Sequence, residues 1–446
     1  MNKLGKKNMV LVSFMLFSLF FGAGNLIFPP FLGQMAGENM PIALLTFLVT
    51  AVLLPILGVL VVAKFGGLDI LAGHVNKYFA IAFTVIIYLA IGPGLGIPRA
   101  ASVPFEMAIA PYLSEGSPLR VYMLLYSACF FVIAAWISLT PSKLVDRIGK
   151  ILTPSLLILL LILFVSFIFT ATKGVAPAQG DYVDNAAIKG FLEGYNTMDT
   201  IAALNFGLVI ATTIQSLGVT EKKDVMKNVL KAGFFAGMIL SAVYIMLSVM
   251  GAQSSAIYPV QSNGAWTLRC IVKDVFGEAG AIILALTFTL ACLTTCIGLI
   301  TSISQFFSTL FKMNYKALVL AISLFSFVVC NFGLDAILSV SVPILNIVYP
   351  VSIVLIALGL GHKKYANNKL VYPLTIGFTA AESIIYSVNQ LVDPSVHWLK
   401  ALPLETTGLG WVPVSLVAFL VALVIDALTK KQGKIKVNNS VEEKIV

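Results

Sequence analysis

From Met9 to Leu32 the chain carries no acidic or basic residue. That is long enough for a helix to cross the ~30 Å hydrocarbon core of a bilayer. An unbroken helix is not what the residues favour, because Gly22, Gly24 and Asn25 interrupt the stretch and Pro29-Pro30 follow. Glycine lowers helix stability, and proline lacks the amide that the helix needs. In lipid every backbone donor and acceptor must be satisfied internally. Non-helical backbone at that depth survives only where it is buried in protein or lines a wet cavity. Two readings are open: the break is a binding site, or the glycines form a packing face against a neighbouring helix.

The rest of the chain extends this constraint. Of its 446 residues, 59% are hydrophobic and 11% are charged, against about 25% charged in soluble domains. Apolar segments recur along the whole length, which makes this an all-α polytopic membrane protein. Twelve segments are expected, over 9–33, 41–63, 78–112, 121–140, 149–172, 187–215, 228–252, 279–311, 316–332, 340–361, 371–392 and 410–428. The longest polar stretch is the tail after Leu428, so residues 1–446 read as a single transmembrane domain. The net charge of +9 does not point to nucleic acid once it is read by location. Alternate connections hold 22 of the 29 Lys and Arg, and the other set holds six. By the positive-inside rule both termini are then cytoplasmic.

Other residues narrow the function classes. Cys129, Cys292, Cys296 and Cys330 lie in apolar stretches and Cys270 in a loop, which forms neither a disulfide framework nor a metal-binding Cys pair. His74, His362 and His397 are expected in loops, which leaves no intramembrane Ser-His dyad and no His-Glu-x-x-His helix. An enzyme is therefore not expected. No phosphate-binding Gly-x-x-x-x-Gly-Lys-Ser/Thr loop occurs, so ATP is not the driver. Lys3, Lys6 and Lys7 mimic a signal peptide, but the apolar run behind them is too long and is read as a retained first helix.

The sixth segment holds a second interruption, Gly194-Tyr195-Asn196-Thr197-Met198-Asp199-Thr200. An acid inside an apolar segment is costly and usually functional. Asp and Thr are also strong N-caps, which predicts a half-helix starting near Thr200, and the two roles are compatible. Segments one and six are five apart and so cross the membrane in opposite directions. That pattern predicts an inverted repeat, residues 9–172 against 187–361, with extra helices over 371–428 and a cytoplasmic tail over 429–446.

Three further features are ambiguous by themselves. Thr294 and Thr295 in the eighth segment either bond carbonyls one turn back or offer hard oxygens to a small cation. Arg99 and Glu106, seven apart on one helix face, are spaced to pair, with a structural or gating role. In the connection 253–278, Asn263-Gly264 and the amphipathic piece from Trp266 to Phe276 form either a lid over an outward cavity or a surface helix. Glu382 has no assigned role.

Three motifs together resemble the branched-chain amino acid:cation symporter family of bacteria. They are Phe-Gly-Ala-Gly-Asn-Leu-Ile-Phe-Pro-Pro at 21–30, Gly-Pro-Gly-Leu-Gly-Ile-Pro-Arg at 92–99 and Gly-Tyr-Asn-Thr-Met-Asp-Thr at 194–200. The resemblance covers nearly the whole chain. It implies the inverted-repeat fold of the LeuT-type transporters. By that resemblance, amides around Gly22, Ala23, Gly24 and Asn25 would hold a substrate carboxylate. The half-helix ending near Gly194 would offer free carbonyls to the ammonium, with Asn196 and Asp199 beside it. Met198, Ala202, Phe288 and Ala291 would face an apolar side chain. One Na+ would lie between the carbonyls of Ser18, Phe21 and Ala291 and the hydroxyls of Thr294 and Thr295. A second ion site through Asn25 is left open.

The resemblance thus implies a multi-pass protein of a bacterial cytoplasmic membrane. It would import leucine, isoleucine and valine by alternating access, with Na+ as the coupling ion and no cofactor. Alternatives are H+ coupling through Asp199, or a non-transporting amino acid sensor on the same fold.

Overall fold

The computed structural model describes residues 4–114, 116–140, 145–170, 174–261, 263–392 and 403–442, and His397 lies outside them. Among the described residues the regular structure is helical. Lys6–Phe20 (α1) and Ala23–Ala36 (α2) make the first segment, split where the glycines predict. Met40–Leu48 (α3), a π-helical turn over Val49–Leu53 and Leu54–Phe65 (α4) make the second. After the short Leu68–Ala72 (α5), the third is Lys77–Leu89 (α6), another π turn at Ala90–Gly94 and Gly96–Ala108 (α7). Leu119–Ser138 (α8) and Thr153–Thr170 (α9) follow, then the broken pair Tyr182–Tyr195 (α10) and Asp199–Ser216 (α11), and Lys222–Ser254 (α12). Gly264–Phe276 (α13) precedes Gly280–Phe311 (α14), Tyr315–Cys330 (α15), Leu334–Tyr365 (α16), Val371–Val392 (α17) and Trp411–Glu442 (α18).

Among the described residues, all twelve expected segments fall on helix. Eight helical stretches among the described residues are long and apolar enough to cross a membrane, or nine when α10 and α11, bent by 44° at their break, count as one. Length and composition alone do not establish twelve crossings.

The chain divides into two compact units. The first comprises Met1–Gly67 and Val85–Ser341. Within it, α2 and α12 cross backbone to backbone. A Cβ added at Gly33 would lie 2.1 Å from the Ser248 carbonyl oxygen, and one at Gly251 would lie 2.0 Å from that of Pro30. Such approach through small residues is how membrane helices gain packing without a hydrophobic drive. It also lets α2 run on through Pro29 and Pro30, because neighbouring helices support the freed backbone. The Asn263 side chain caps α13 by accepting from Ala265 and Trp266 amides at 3.0 and 3.3 Å. Buried Gln34 of α2 accepts from the Thr267 hydroxyl at 2.6 Å and donates to the Pro259 carbonyl at 3.2 Å. The 253–278 connection is therefore fastened onto α2.

The second unit comprises Leu68–Thr84 and Val342–Val446. Here Thr379 of α17 and Ser415 of α18 share a hydrogen bond of 2.7 Å. His362 lies in the last turn of α16 instead of in a loop. Its ring stands 4.7 Å from that of His74. Helix α18 continues to Glu442, past Leu428, where the polar tail was expected to begin.

Candidate functional site

The first break is two residues wide. Phe21 (φ −74°, ψ 90°) and Gly22 (φ −117°, ψ −157°) are extended. The side-chain oxygen of Asn25 accepts the Gly22 amide at 2.9 Å, so the N-terminus of α2 is partly capped from within. A Cβ on Gly22 would meet the Thr295 hydroxyl at 3.1 Å, which sets this break directly against α14.

The second break is held by strain and by its own carbonyls. Met198 adopts φ 69°, a left-handed conformation costly for a non-glycine residue. It precedes α11, which begins at Asp199, one residue before the expected Thr200 start. The carbonyls at the end of α10 were expected to be open, yet they are engaged. Gly194 accepts from the Thr197 hydroxyl at 2.8 Å, Tyr195 accepts from the Met198 amide at 2.9 Å, and Asn196 accepts from Arg99 Nη2 at 3.5 Å. Short bonds within the turn satisfy orphan groups more cheaply than leaving them bare in a low-dielectric interior. Thr50, in the first π turn, ties the two halves together. Its hydroxyl donates to Phe191 of α10 at 2.9 Å, and its carbonyl accepts from Thr200 of α11 at 3.1 Å.

The two breaks meet. Asn25 Nδ2 donates to Asp199 Oδ2 at 2.6 Å, Tyr244 of α12 donates to the same oxygen at 3.1 Å, and Asn25 also donates to the Tyr244 hydroxyl. Exposure is 1% for Asn25, 2% for Asp199 and 0% for Tyr244. Beside this cluster lies a cavity of about 50 Å³. Gly22, Ala23, Gly24 and Asn25 line it from the first break, and Met198, Asp199 and Ala202 from the second, joined by Arg99 and Thr295. Asn196 stands beside it through its contact with Arg99. Gly194 packs instead on Thr50. Phe288 and Ala291 are fully buried and do not form part of its wall.

At Thr295, which lines the cavity, α14 meets α1 through one pair of oxygens. The Thr295 hydroxyl crosses to the Ser18 carbonyl at 3.2 Å, whereas the Thr294 hydroxyl bonds the Ala291 carbonyl of its own helix at 2.8 Å. The Ser18 hydroxyl pairs with Thr153 at 2.7 Å. Ser18, Phe21, Ala291 and Thr294 are all fully buried. The set is neutral and hard, which suits a small alkali cation. Among the described residues, no group of three or more His, Cys, Asp or Glu gathers as a metal site.

Arg99 turns toward the breaks. Its Nη1 lies 3.2 Å from the Met198 sulfur, and its guanidinium stands 5.7 Å from the Phe28 ring centre. Glu106, seven residues on, accepts the Leu334 amide at 2.9 Å. Sequence reasoning passed over Tyr244 and Thr50, which are ordinary residues of apolar segments with no spacing to mark them. For Arg99, a cation within an apolar segment was the available signal.

The motifs and the architecture can now be set beside known proteins. A family model described as "Branched-chain amino acid transport protein" matches residues 5–429. The chain belongs to that family. It is 40% identical to the branched-chain amino acid permease BraB of Bacillus subtilis, over 94% of this chain and 95% of that protein. It is 41% identical to the branched-chain amino acid transport system 2 carrier protein of Pseudomonas aeruginosa, over 95% and 97%. With the permease BrnQ of Escherichia coli it shares 36% over 97% and 98%. Among solved structures it resembles MhsT in complex with L-phenylalanine (TM-score 0.57, 15% identity, 95% of this chain and 98% of that one). It also resembles Mhp1, a nucleobase-cation-symport-1 family transporter, in a closed conformation with bromovinylhydantoin bound (TM-score 0.59, 11% identity, 94% and 93%). The fold is thus the all-α, LeuT-type fold of a polytopic membrane protein.

Proposed function

We propose that this protein is a secondary active symporter that imports leucine, isoleucine and valine together with Na+ by alternating access. The observation that carries this reading is the 2.6 Å bond from Asn25 to Asp199, which joins two unwound membrane segments around one small cavity. An amino acid zwitterion brings two charges that must leave water together. The N-terminus of α2, with Gly22, Ala23, Gly24 and Asn25, supplies amides and a positive dipole end for the carboxylate. Asp199 attracts the ammonium, and the negative dipole end of α10 adds to it, although its last carbonyls are engaged by Thr197, Met198 and Arg99. Met198 and Ala202 give the side chain an apolar wall. One methylene in such a wall is worth about 1–3 kcal/mol, so it separates the three amino acids only modestly.

The cation would lie between Ser18, Phe21, Ala291, Thr294 and Thr295. There it ties α1 to α14 and favours the state that binds substrate well, which is the coupling. A monovalent cation gains roughly 2.3 kcal/mol per 100 mV, plus about 1.4 kcal/mol per tenfold gradient. At about 120 mV and a tenfold gradient, the sum of roughly 4 kcal/mol supports on the order of thousandfold accumulation. On this reading the protein sits in a bacterial cytoplasmic membrane with both termini facing the cytoplasm.

A second reading has its own observation. Asp199 is buried and receives two donors, which suits a proton carrier. Uptake of labelled leucine into proteoliposomes, with Na+ and pH gradients imposed separately, decides between the ions. Uptake driven by Na+ alone supports the reading, and uptake driven only by pH transfers the coupling to Asp199. Binding without flux under either gradient would make the protein a sensor.

A further inference from the structure

A lysine at a membrane surface lays its stem on apolar atoms and holds its ammonium among water and phosphate. Two lysines of this chain share one groove of that kind. Lys6 opens α1, and Lys231 stands in the third turn of α12. Each marks where its helix loses charge. After Lys7, α1 carries none, and after Lys231, α12 carries none. Both lysines therefore stand where the hydrocarbon begins. They line a groove of about 820 Å³ between the two helices. On a helix, the residues three and four positions on share a face and lie about 5 Å further along. From Lys6 these are Met9 and Val10, and from Lys231 they are Phe234 and Phe235. All four line the same groove. Val10, Phe234 and Phe235 are 51%, 61% and 47% exposed, so the floor of the groove is open to lipid.

The groove thus carries two cations at its mouth and apolar side chains below them. Among the described residues neither lysine makes an ion pair. Asp224, the acid in the first turn of α12, is 3.9 Å from Lys227 and is balanced there. A soluble anion would answer the lysines and leave the apolar floor bare. A zwitterionic lipid would cover the floor, but it brings its own cation, which competes with the lysines for the phosphate. An anionic phospholipid answers both features, by charge at the mouth and by chain below. We propose that this groove binds one anionic phospholipid, with its phosphodiester between Lys6 and Lys231 and an acyl chain along Val10 and Phe234. The lipid bridges α1, which leads into the first break, and α12, which carries Tyr244. It adds a ligand of the surrounding bilayer to those named in the functional reading and does not depend on that reading.

The test titrates the full-length protein in detergent with phosphatidylglycerol and with phosphatidylcholine, and counts bound lipid by native mass spectrometry. The first phosphatidylglycerol is expected to bind the wild type at least about tenfold tighter than phosphatidylcholine. Lys6→Gln with Lys231→Gln is expected to weaken it by about 30-fold, the scale of two cations near an anionic surface. The same pair should cancel the rise in melting temperature that the bound lipid brings. Lys222→Gln with Lys223→Gln removes as much charge from the start of α12, outside the groove, and should change the affinity less than threefold. Val10→Trp fills the floor and should weaken phosphatidylglycerol by at least about tenfold. Inorganic phosphate at the same concentration should not displace the lipid. Equal affinity of the wild type for the two lipids overturns the proposal, and that result needs no variant to fold. An equal loss in the two lysine pairs also overturns it, because it marks general surface charge. So does unchanged binding in Val10→Trp, or displacement by phosphate, which marks a site for a soluble anion.

Discussion

Gly194 lies so close to Thr50 that a Cβ added to it would sit 1.7 Å from the threonine hydroxyl oxygen and 2.8 Å from its Cβ. This approach fixes where the sixth segment breaks, because Thr50 holds Phe191 before the break and Thr200 after it. Gly194→Ala forces α10 off that seat. Overpacking of this kind costs about 1–3 kcal/mol, so the variant should melt lower in detergent. Adding Thr50→Ala should restore part of the loss by removing the nearest atom. Purely additive losses in the double variant would show that the two residues do not share this contact.

Asp199 is held by Asn25 and Tyr244. Tyr244→Phe removes one donor to a buried carboxylate and should weaken leucine affinity by about tenfold, on a scale of 1–3 kcal/mol per such bond. Asp199→Asn keeps the shape and removes the charge. It should reduce uptake by at least as much while the protein still inserts. Uptake equal to wild type in Asp199→Asn would exclude the carboxylate from both substrate and ion handling.

The two adjacent hydroxyls of α14 should not be equivalent. Thr295 reaches across to Ser18, whereas Thr294 bonds its own helix. Thr295→Ala should raise the Na+ concentration for half-maximal uptake by at least tenfold, and Thr294→Ala by less. The double variant should lose Na+ dependence altogether. Unchanged Na+ titrations in all three would mean that these hydroxyls serve only the helix backbone.

At Gly24, any side chain meets Arg99, the Asn196 carbonyl and the Thr197 Cα at 3.2 Å each. Gly24→Val should abolish uptake with little change in the amount of inserted protein. Gly377, where an added Cβ meets nothing within 4 Å, provides the control: Gly377→Ala should transport normally. Normal leucine uptake by Gly24→Val would remove α2 from the substrate's path.

In the connection before α18, burial raises the Glu405 carboxyl above its ordinary value, and a hydrogen bond with Glu382 opposes the rise. A raised value in the fold means that folding favours the neutral acid. That contribution is present below the usual glutamate range and is lost as pH climbs through the raised value. Melting temperature should therefore decline from pH 5 to pH 8 more in the wild type than in Glu405→Gln. Parallel pH profiles for the two proteins would show that Glu405 is not the cause.

The sequence by itself determined the membrane class, the helical segments, the two breaks and the family. These follow from local chemistry. Lipid forbids unsatisfied backbone, so an uncharged stretch that contains Gly22, Gly24 and Asn25 states its break openly, as does an acid at position 199. What the tertiary structure decided is which groups answer one another across those breaks. It gave Asp199 the Asn25 amide and the Tyr244 hydroxyl, closed the carbonyls of α10 with its own turn, sent Thr295 but not Thr294 across to α1, and turned Arg99 toward Gly24. Tyr244 and Thr50 carry no signal in an apolar segment, because their hydroxyls acquire meaning only from partners far away in the chain. Spacing along one helix fixes a face. The direction of a buried polar group is set by whichever neighbour can satisfy it in a medium without water.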